Sequence, residues 1–396
     1  MKISAALICL VLVSTGCAAV SGPRATPGDK LYEAVTGNTL AVVDSASRAT
    51  DRRLALGVGS ADWAHLYSIS DAELVDTDPR TGAKRGSLQI GPSFRLPAAT
   101  SSGVPGGLSR NGRWLVVESS DKSATRMLVI DTQAMTVGRH VSLAGDFEFD
   151  AINDAGNNLY LIQHLNGREY YVRLYDLTLG ALTDNIVVDK SDGNQAMTGV
   201  RLSGVPSLGG QWLFSMYVRE GEAPFVHALS LDGPFAFCLD LPGAGYGQDG
   251  REMRWSLALN AVGTRLYAVN PATGTVAEIS NGGDGAPAVL RTARFDAMAA
   301  AGGSAGAGAA LVEGGTLVAG GPSGLVWIDT SSLRVTGRSL PGFSVAGVGL
   351  SPDGKSLYAV SDSGRVAVVS VADRSVTGTF DPSAGRPVAL MRVAAA

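Results

Sequence analysis

The segment that decides the fold reads Ser351-Pro-Asp-Gly-Lys-Ser-Leu-Tyr-Ala-Val360, a tight turn that leads into an apolar run. The same unit recurs along the chain at intervals of 35 to 54 residues, and its Leu falls at Leu31, Leu66, Leu115, Leu159, Leu213, Leu266, Leu317 and Leu357. A Gly stands three residues before that Leu in every copy except one, where Trp63 takes its place. Glycine suits a tight strand-to-strand turn because it adopts positive φ at no steric cost.

Each Leu run is followed by a second apolar segment that often ends in Asp, as at Asp44, Asp78, Asp131, Asp176 and Asp329. A turn and a more polar segment then follow. With the strand that precedes the Gly, every unit supplies four antiparallel strands. Four-stranded units at this spacing are typical of a β-propeller, and the 3.6-residue periodicity of helical repeats is absent. The repeat therefore predicts an all-β fold in which each unit is one blade.

The two ends of the repeat array are complementary. The first unit, residues 31–56, has no preceding strand of its own, whereas residues 386–393 have an innermost-strand pattern with no turn after it. We therefore expect the C-terminal strand to complete the N-terminal blade, which removes exposed sheet edges. The prediction is one propeller domain, residues 29–396, with eight blades. Seven blades are the alternative, if the first unit only extends a neighbouring blade.

These repeats resemble the YVTN-type family of propeller repeats, which is related by fold to lactonase-like, quinoprotein and WD-repeat (WD40-like) propellers. The resemblance covers residues 29–393 and implies the fold far more than the function. The lactonase-like relatives imply that a hydrolytic site in the central channel is conceivable. The regular tryptophan docking pattern of quinoproteins does not recur in this chain.

The N-terminal segment Met1–Cys17 has one basic residue, an apolar run and then small residues, which is the pattern of a secretory signal. Its end, Ser14-Thr-Gly-Cys17, resembles the lipobox of bacterial lipoproteins, although Ser14 stands where Leu is usual. The resemblance implies a signal peptide at residues 1–16, a lipidated (palmitate-bearing) Cys17 and a linker at 17–28. The protein would then be exported and anchored to the outer face of the bacterial membrane or cell envelope. An ordinary cleaved signal with an accidental Cys is the alternative.

Composition narrows the function classes. The 396 residues are 45% hydrophobic and 17% charged with a net charge of −4, which fits a folded protein and gives no basic patch for nucleic acid. Once the signal has left with Cys9 and Cys17 is acylated, only Cys238 remains. An internal disulfide framework is therefore excluded, and stability must come from the packed core.

Charged and aromatic side chains stand on the predicted innermost strands, where blades converge on the channel. Strand alternation puts Glu148 and Asp150 on one face. The candidate ligand-binding residues are Glu148, Asp150, Arg201, Arg254, Trp255 and Arg392. Pairing of these acids and arginines with one another as a structural network is the default interpretation, a ligand site is the alternative, and no catalytic residue can be assigned.

No cofactor is predicted, and no metal ligand set is recognised. The four histidines fall in different repeat units. The segment Asp189-Lys-Ser-Asp-Gly-Asn194 carries several side-chain oxygens that Ca²⁺ could use, but it is shorter than a complete calcium loop, and a solvated turn is the alternative.

Two functions remain open. The first is a monomeric, envelope-anchored binding or scaffold protein that recognises a ligand or a protein, peptide or glycan partner at its channel or rim. The second is a lactonase-like or other hydrolytic enzyme with its site in the channel.

Overall fold

The computed structural model describes residues 28–396, except residues 100, 102, 167, 190–195, 248–249, 284, 299–307 and 313. The predicted signal peptide, the lipidation site Cys17 and nearly all of the linker therefore lie outside the described residues. So does most of the segment 189–194. In the described part, no helix has the length and apolar character needed to span a bilayer.

The chain forms eight antiparallel blades in a ring, so the predicted all-β, eight-bladed propeller is confirmed. From the fifth blade through the eighth to the closing strand of the first, the innermost strands of neighbouring blades contact one another around the central axis. From the axis outward, the first blade is β32 (Pro387–Ala394), β1 (Lys30–Val35), β2 (Thr39–Asp44) and β3 (Ala49–Ala55). The second is β4 (Gly57–Gly59), β5 (Leu66–Ser70), β6 (Glu73–Thr77) and β7 (Lys84–Gln89). The third has β8 (Trp114–Ser120), β9 (Ala124–Asp131) and β10 (Thr136–Ala144).

The remaining blades follow in chain order. The fourth is β11 (Phe147–Ile152), β12 (Asn158–His164), β13 (Glu169–Asp176) and β14 (Ala181–Asp189), with the short β15 (Met197–Thr198) beside β13. The fifth is β16 (Val200–Pro206), β17 (Trp212–Val218), β18 (Phe225–Ser230) and β19 (Phe235–Asp240). A 3₁₀ turn, Arg251–Arg254, precedes the sixth, which is β20 (Ser256–Leu259), β21 (Arg265–Asn270), β22 (Thr275–Ser280) and β23 (Ala288–Arg294). The seventh is β24 (Ala309–Val312), β25 (Thr316–Gly321), β26 (Gly324–Asp329) and β27 (Arg334–Ser339). The eighth is β28 (Val345–Leu350), β29 (Ser356–Ser361), β30 (Val366–Ser370) and β31 (Val376–Phe380).

The ring closes as expected. β32 pairs antiparallel with β1, with Leu31 opposite Val393, and so supplies the innermost strand of the first blade. The first unit is therefore a blade of its own, and the alternative of seven blades is wrong.

One turn links the innermost strand to the second strand in six blades. The turn begins with Ser or Asn, whose side-chain oxygen accepts the backbone N–H five residues later, as from Ser356 to Ser351 at 2.9 Å. The residue at position four has positive φ, for example 69° at Gly354. The six turns begin at Ser60, Asn153, Ser109, Ser207, Asn260 and Ser351. We call the side of the ring formed by these turns the turn face.

Trp63 takes the glycine position of that turn in the second blade, with φ of 58°. A large side chain in the left-handed region is strained, so something must hold it there. Its ring is only 7% exposed and meets the ring of Tyr32 edge-on, with centroids 5.0 Å apart. Packing of the aromatic ring therefore stabilises a backbone conformation that glycine adopts elsewhere in the repeat.

The third blade departs from the repeat on its axial side. The innermost position is filled by the described residues of the segment 94–108, and among them pairing with β8 occurs only at Arg95–Glu118 and Leu108–Leu115. Pro97 lies in this segment, and proline cannot donate a ladder hydrogen bond, which prevents a continuous strand. The freed segment instead becomes part of the wall of an axial cavity.

Candidate functional site

The centre of the candidate site is an ion pair between the fourth and fifth blades. Nη1 of Arg201, on β16, lies 2.6 Å from Oδ1 of Asp150, on β11. Nη2 of the same guanidinium donates to the backbone oxygen of Ala98 at 2.9 Å and lies 3.9 Å from Oε1 of Glu148. One arginine thus connects the fourth blade, the fifth blade and the irregular segment of the third.

Local irregularities of the strands accompany this contact. The pairing register of β11 shifts between Phe149 and Ala151, and that of β16 shifts between Arg201 and Ser203. A β-bulge re-aims a side chain relative to a regular strand, and bulges are common beside functional sites. Asp150 and Arg201 each lie at such a bulge.

The pKa values of Asp150 and Glu148 are shifted in opposite directions by their surroundings. The side chain of Asp150 is 1% exposed, and its Oδ2 atom has no hydrogen-bond partner among the described residues. Burial raises the pKa of Asp150, and the charge of Arg201 opposes that rise only in part. Burial would also raise the pKa of Glu148, but the hydrogen bond to His164 and the charge of Arg201 hold it below its ordinary value. One carboxyl group is therefore biased toward the protonated form and its neighbour toward the ionised form.

Three further charged or titratable side chains, Glu118, Arg95 and His164, lie around Glu148 and Asp150. Glu118, buried on β8, accepts the backbone N–H of Phe149 at 3.0 Å and pairs with Arg95 at 3.2 Å. Nε2 of His164 lies 3.2 Å from Oε2 of Glu148. None of these three side chains, Glu118, Arg95 and His164, was predicted from the sequence as part of the site. Glu118 carried the clearest signal, because a charged residue directly follows the apolar run 115–117.

A cavity of about 210 Å³ lies beside the Asp150–Arg201 pair. Its walls come from the second to fifth blades, so it belongs to the axial channel. Most of the lining is apolar, and its only charged side chains are Arg110, Asp150 and Arg201. The lining residues are Val58, Ala99, Pro105, Gly106, Gly107, Leu108, Arg110, Phe149, Asp150, Ala151, Ile152, Arg201, Gly204, Pro206, Leu213, Ser215 and Leu231.

Three of the six predicted site residues lie elsewhere. Trp255 is fully buried in the core and donates its indole N–H to Glu252 at 2.8 Å. Arg254 is 3% exposed; burial lowers its pKa, against the charge of Asp362. Arg392 is exposed, and its guanidinium reaches the backbone oxygen of Ala61 at 3.5 Å. The structure brings Glu148, Asp150 and Arg201 together, and it places Arg254, Trp255 and Arg392 away from the cavity lining.

Metal-binding side chains do not cluster in the part of the chain that the structure describes. No three His, Cys, Asp or Glu residues there are placed to share an ion.

Comparisons with known proteins support the fold alone. No protein-family model matches the chain, and no curated protein matches it in sequence. Among solved structures, the dihydro-heme d1 dehydrogenase NirN, in complex with DHE, is similar over 92% of this chain and 75% of its own, with 14% identity and a TM-score of 0.54. The periplasmic gluconolactonase PpgL of Pseudomonas aeruginosa aligns over 94% and 99% of the two chains, with 16% identity and a TM-score of 0.47. Hydrazine synthase of Kuenenia stuttgartiensis aligns over 85% and 90%, with 17% identity and a TM-score of 0.46.

At 14% identity, the likeness to NirN supports a β-propeller and carries no information about chemistry. The two lower scores add nothing to that conclusion. The resemblance to YVTN-type repeats is limited to the repeat pattern and remains a prediction.

Proposed function

We propose that this protein is an exported, membrane-tethered propeller that binds a small ligand in its axial cavity. The observation that carries the proposal is the composition of that cavity, an apolar wall interrupted by the Asp150–Arg201 pair and by Arg110. Ligand sites are concave, mostly apolar and equipped with a few placed polar groups. At about 210 Å³ the cavity exceeds the 150 Å³ that can hold benzene.

The proposed attachment to the membrane is inferred from the lipobox-like sequence that ends at Cys17. β1 is the second strand of the first blade, and second strands begin at the turn face. The linker that precedes Lys30 therefore leaves the ring from the turn face. An acyl anchor on Cys17 would direct that face toward the membrane and the opposite rim, with Glu148 and His164, away from it.

A cavity-filling substitution tests the binding role. Gly204 lines the cavity, lacks positive φ, and a Cβ there would meet its nearest neighbours at 3.5 Å, an ordinary contact. Gly204→Leu should therefore fill the space without straining the backbone. Gly86→Leu, on the outer strand of the second blade, is the matched control, because its added Cβ also meets only an ordinary contact, at 3.6 Å.

The measurement is a ligand-observed NMR screen of small aromatic and aliphatic fragments against both variants and the unsubstituted protein. The proposal expects fragments that bind the unsubstituted protein and the Gly86→Leu variant but not Gly204→Leu. Fragments that bind all three equally, or a protein that binds none, would contradict it.

An enzyme is the second candidate, and the pKa split between Glu148 and Asp150 favours it. Two carboxyl groups biased toward opposite protonation states can serve as acid and base, provided that a substrate reaches both. Hydrolysis of simple lactones, lost in both Asp150→Asn and Glu148→Gln, would support this candidate. A fragment that binds but shows no turnover would leave the binding role as the better description.

A further inference from the structure

We propose that the ligand of the axial cavity is a small organic anion, with an apolar body and a carboxylate that pairs with Arg110. This inference rests on the proposed binding function and names the class of molecule that the cavity takes. It depends on three features: an arginine without a partner, the charge balance of the lining and the apolar remainder of the wall.

Arg110 lies in the turn that leads into β8, between Ser109 and Asn111. Both neighbours are engaged, since the Ser109 hydroxyl bonds to Asn111 at 2.8 Å and the backbone N–H of Asn111 bonds to Asp154 at 2.7 Å. The half-buried Arg110 side chain lines the cavity, and its guanidinium has no ion pair or hydrogen bond with any described residue. A rigid turn therefore presents five N–H donors whose planar arrangement matches a carboxylate.

The charge balance of the cavity favours an anion. Asp150 and Arg201 neutralise each other, so the lining keeps the single positive charge of Arg110.

A cationic ligand is disfavoured at the same place. Oδ1 of Asp150 is already held by Arg201, and Oδ2 is enclosed by protein, with no accessible surface through which an ammonium group could approach. A cation would also lie near two guanidinium groups in a site of low dielectric, where like charges repel most strongly.

The rest of the wall suits an apolar body. Pro105, Ile152, Pro206, Leu213 and Leu231 line the cavity together with several glycines. A volume of about 210 Å³ accommodates a single substituted ring or a short branched chain, but not a long acyl chain or a disaccharide.

Three small molecules that have the same phenyl ring but different charges test the chemical class of the ligand. Benzoate, benzyl alcohol and benzylamine would each be titrated into the full mature protein carrying Cys17→Ser, so that no acyl chain competes for the cavity. We expect benzoate to bind about 10- to 100-fold more tightly than benzyl alcohol, because a charged hydrogen bond is gained. Benzylamine should bind most weakly.

Arg110→Gln should remove the preference for benzoate and leave the affinity for benzyl alcohol within about twofold. Arg113→Gln is the matched control: Arg113 belongs to the same turn but lies over the Trp114 ring and pairs with Asp131 at 3.3 Å. A thermal melt of each variant checks folding. Benzoate and benzyl alcohol binding equally, with no effect of Arg110→Gln, would overturn the ligand class and leave the binding function standing. Probes that bind the Gly204→Leu variant as well as the parent, or that bind neither, would remove the binding function itself.

Discussion

Nη1 of Arg201 lies 2.6 Å from Oδ1 of Asp150, so an ion pair, nearly excluded from water, joins the innermost strands of the fourth and fifth blades. Taking two charges out of water is costly, and a buried pair is stabilising only as long as both partners are present. The intact pair therefore adds little to the free energy of unfolding, but replacement of only one partner lowers it, because the other charge then stays buried without a counterion.

Arg201→Met should lower the free energy of unfolding by about 3 to 5 kcal/mol, because it leaves the Asp150 carboxylate buried without its counterion. The double variant Asp150→Leu with Arg201→Met should be more stable than Arg201→Met alone, since position 150 then carries no carboxylate that lacks its counterion. Urea denaturation of the parent, the two single variants and the double variant measures the coupling. Strictly additive losses would show that the two side chains do not depend on each other.

Glu33 should make the protein less stable as the pH rises. The side chain on β1 is fully buried, neither carboxyl oxygen has a hydrogen-bond partner among the described residues, and burial raises its pKa from 4.5 to about 8. Its strand neighbour is Leu390 of the closing strand. Because the folded pKa lies above the unfolded one, the favourable contribution of the protonated form is complete below about pH 4.5 and is lost as the pH rises through 8.

Glu33→Gln should abolish this part of the pH dependence. The stability of the variant relative to the parent should increase by about 3 to 5 kcal/mol between pH 5 and pH 9. Denaturation curves of both proteins at pH 5, 7 and 9 measure the difference, in which the other titrating groups cancel. Two parallel pH profiles would mean that Glu33 titrates as an ordinary carboxyl group.

Trp63 offers a test of the strained turn in the second blade. Trp63→Ala should cost about 3 to 5 kcal/mol because a buried aromatic ring is lost. Trp63→Gly loses the same ring but relieves the positive φ of 58°, so it should be more stable than the Ala variant by about 1 kcal/mol. Thermal or urea unfolding ranks the three proteins. A Gly variant less stable than the Ala variant would show that the left-handed conformation does not persist once the ring is gone.

Removal of residues 386–396 should destabilise the whole ring. The deletion takes away β32, exposes the edge of β1 and uncovers the apolar face that Leu390 and Val393 contribute to the interface of the first and eighth blades. We expect a large fall in melting temperature and aggregation. Deletion of residues 395 and 396 alone, which lie beyond β32, is the control and should leave the melting temperature unchanged.

Cys17→Ser should release the protein from the membrane if Cys17 carries the acyl anchor. Dual acylation is needed for stable attachment, and no helix among the described residues is long and apolar enough to span a membrane. Fractionation of cells that express the parent, Cys17→Ser and the control Cys9→Ser measures partitioning. A Cys17→Ser protein that stays in the membrane fraction through a high-salt wash would remove the tether from the proposed function.

Much of the fold could be predicted because its determinants are local. The Gly–x–x–Leu unit marks a tight turn that requires a residue with positive φ. The φ angle is indeed near 70° at Gly156, Gly210, Gly263 and Gly354. The complementary ends of the array also predicted closure, since a strand without a partner must find one. The Ser or Asn that opens each turn was equally visible in the sequence and was overlooked.

Less of the site could be predicted. Glu148, Asp150 and Arg201 were predicted because innermost strands converge on the channel and their charged side chains can face it, and these three residues do lie together. Arg254 and Arg392 satisfied the same criterion but lie away from the cavity. The position of a side chain around the ring depends on the blade it belongs to and on its bulge, and neither follows from strand alternation.

The sequence by itself therefore predicted the strand order within a blade and the closing strand, because turn conformation and unpaired edges are properties of short segments. The pairing of β32 with β1 then decided between eight and seven blades. The tertiary structure alone decided that Ala99 and residues 105–108 form a cavity wall in place of a strand, that Arg110 lines the cavity with no partner in the described chain, and that Asp150 meets Arg201. These contacts join residues of different blades, 51 positions apart for Asp150 and Arg201 and 103 positions apart for Arg201 and Ala98. Such distances close only when whole sheets pack around an axis.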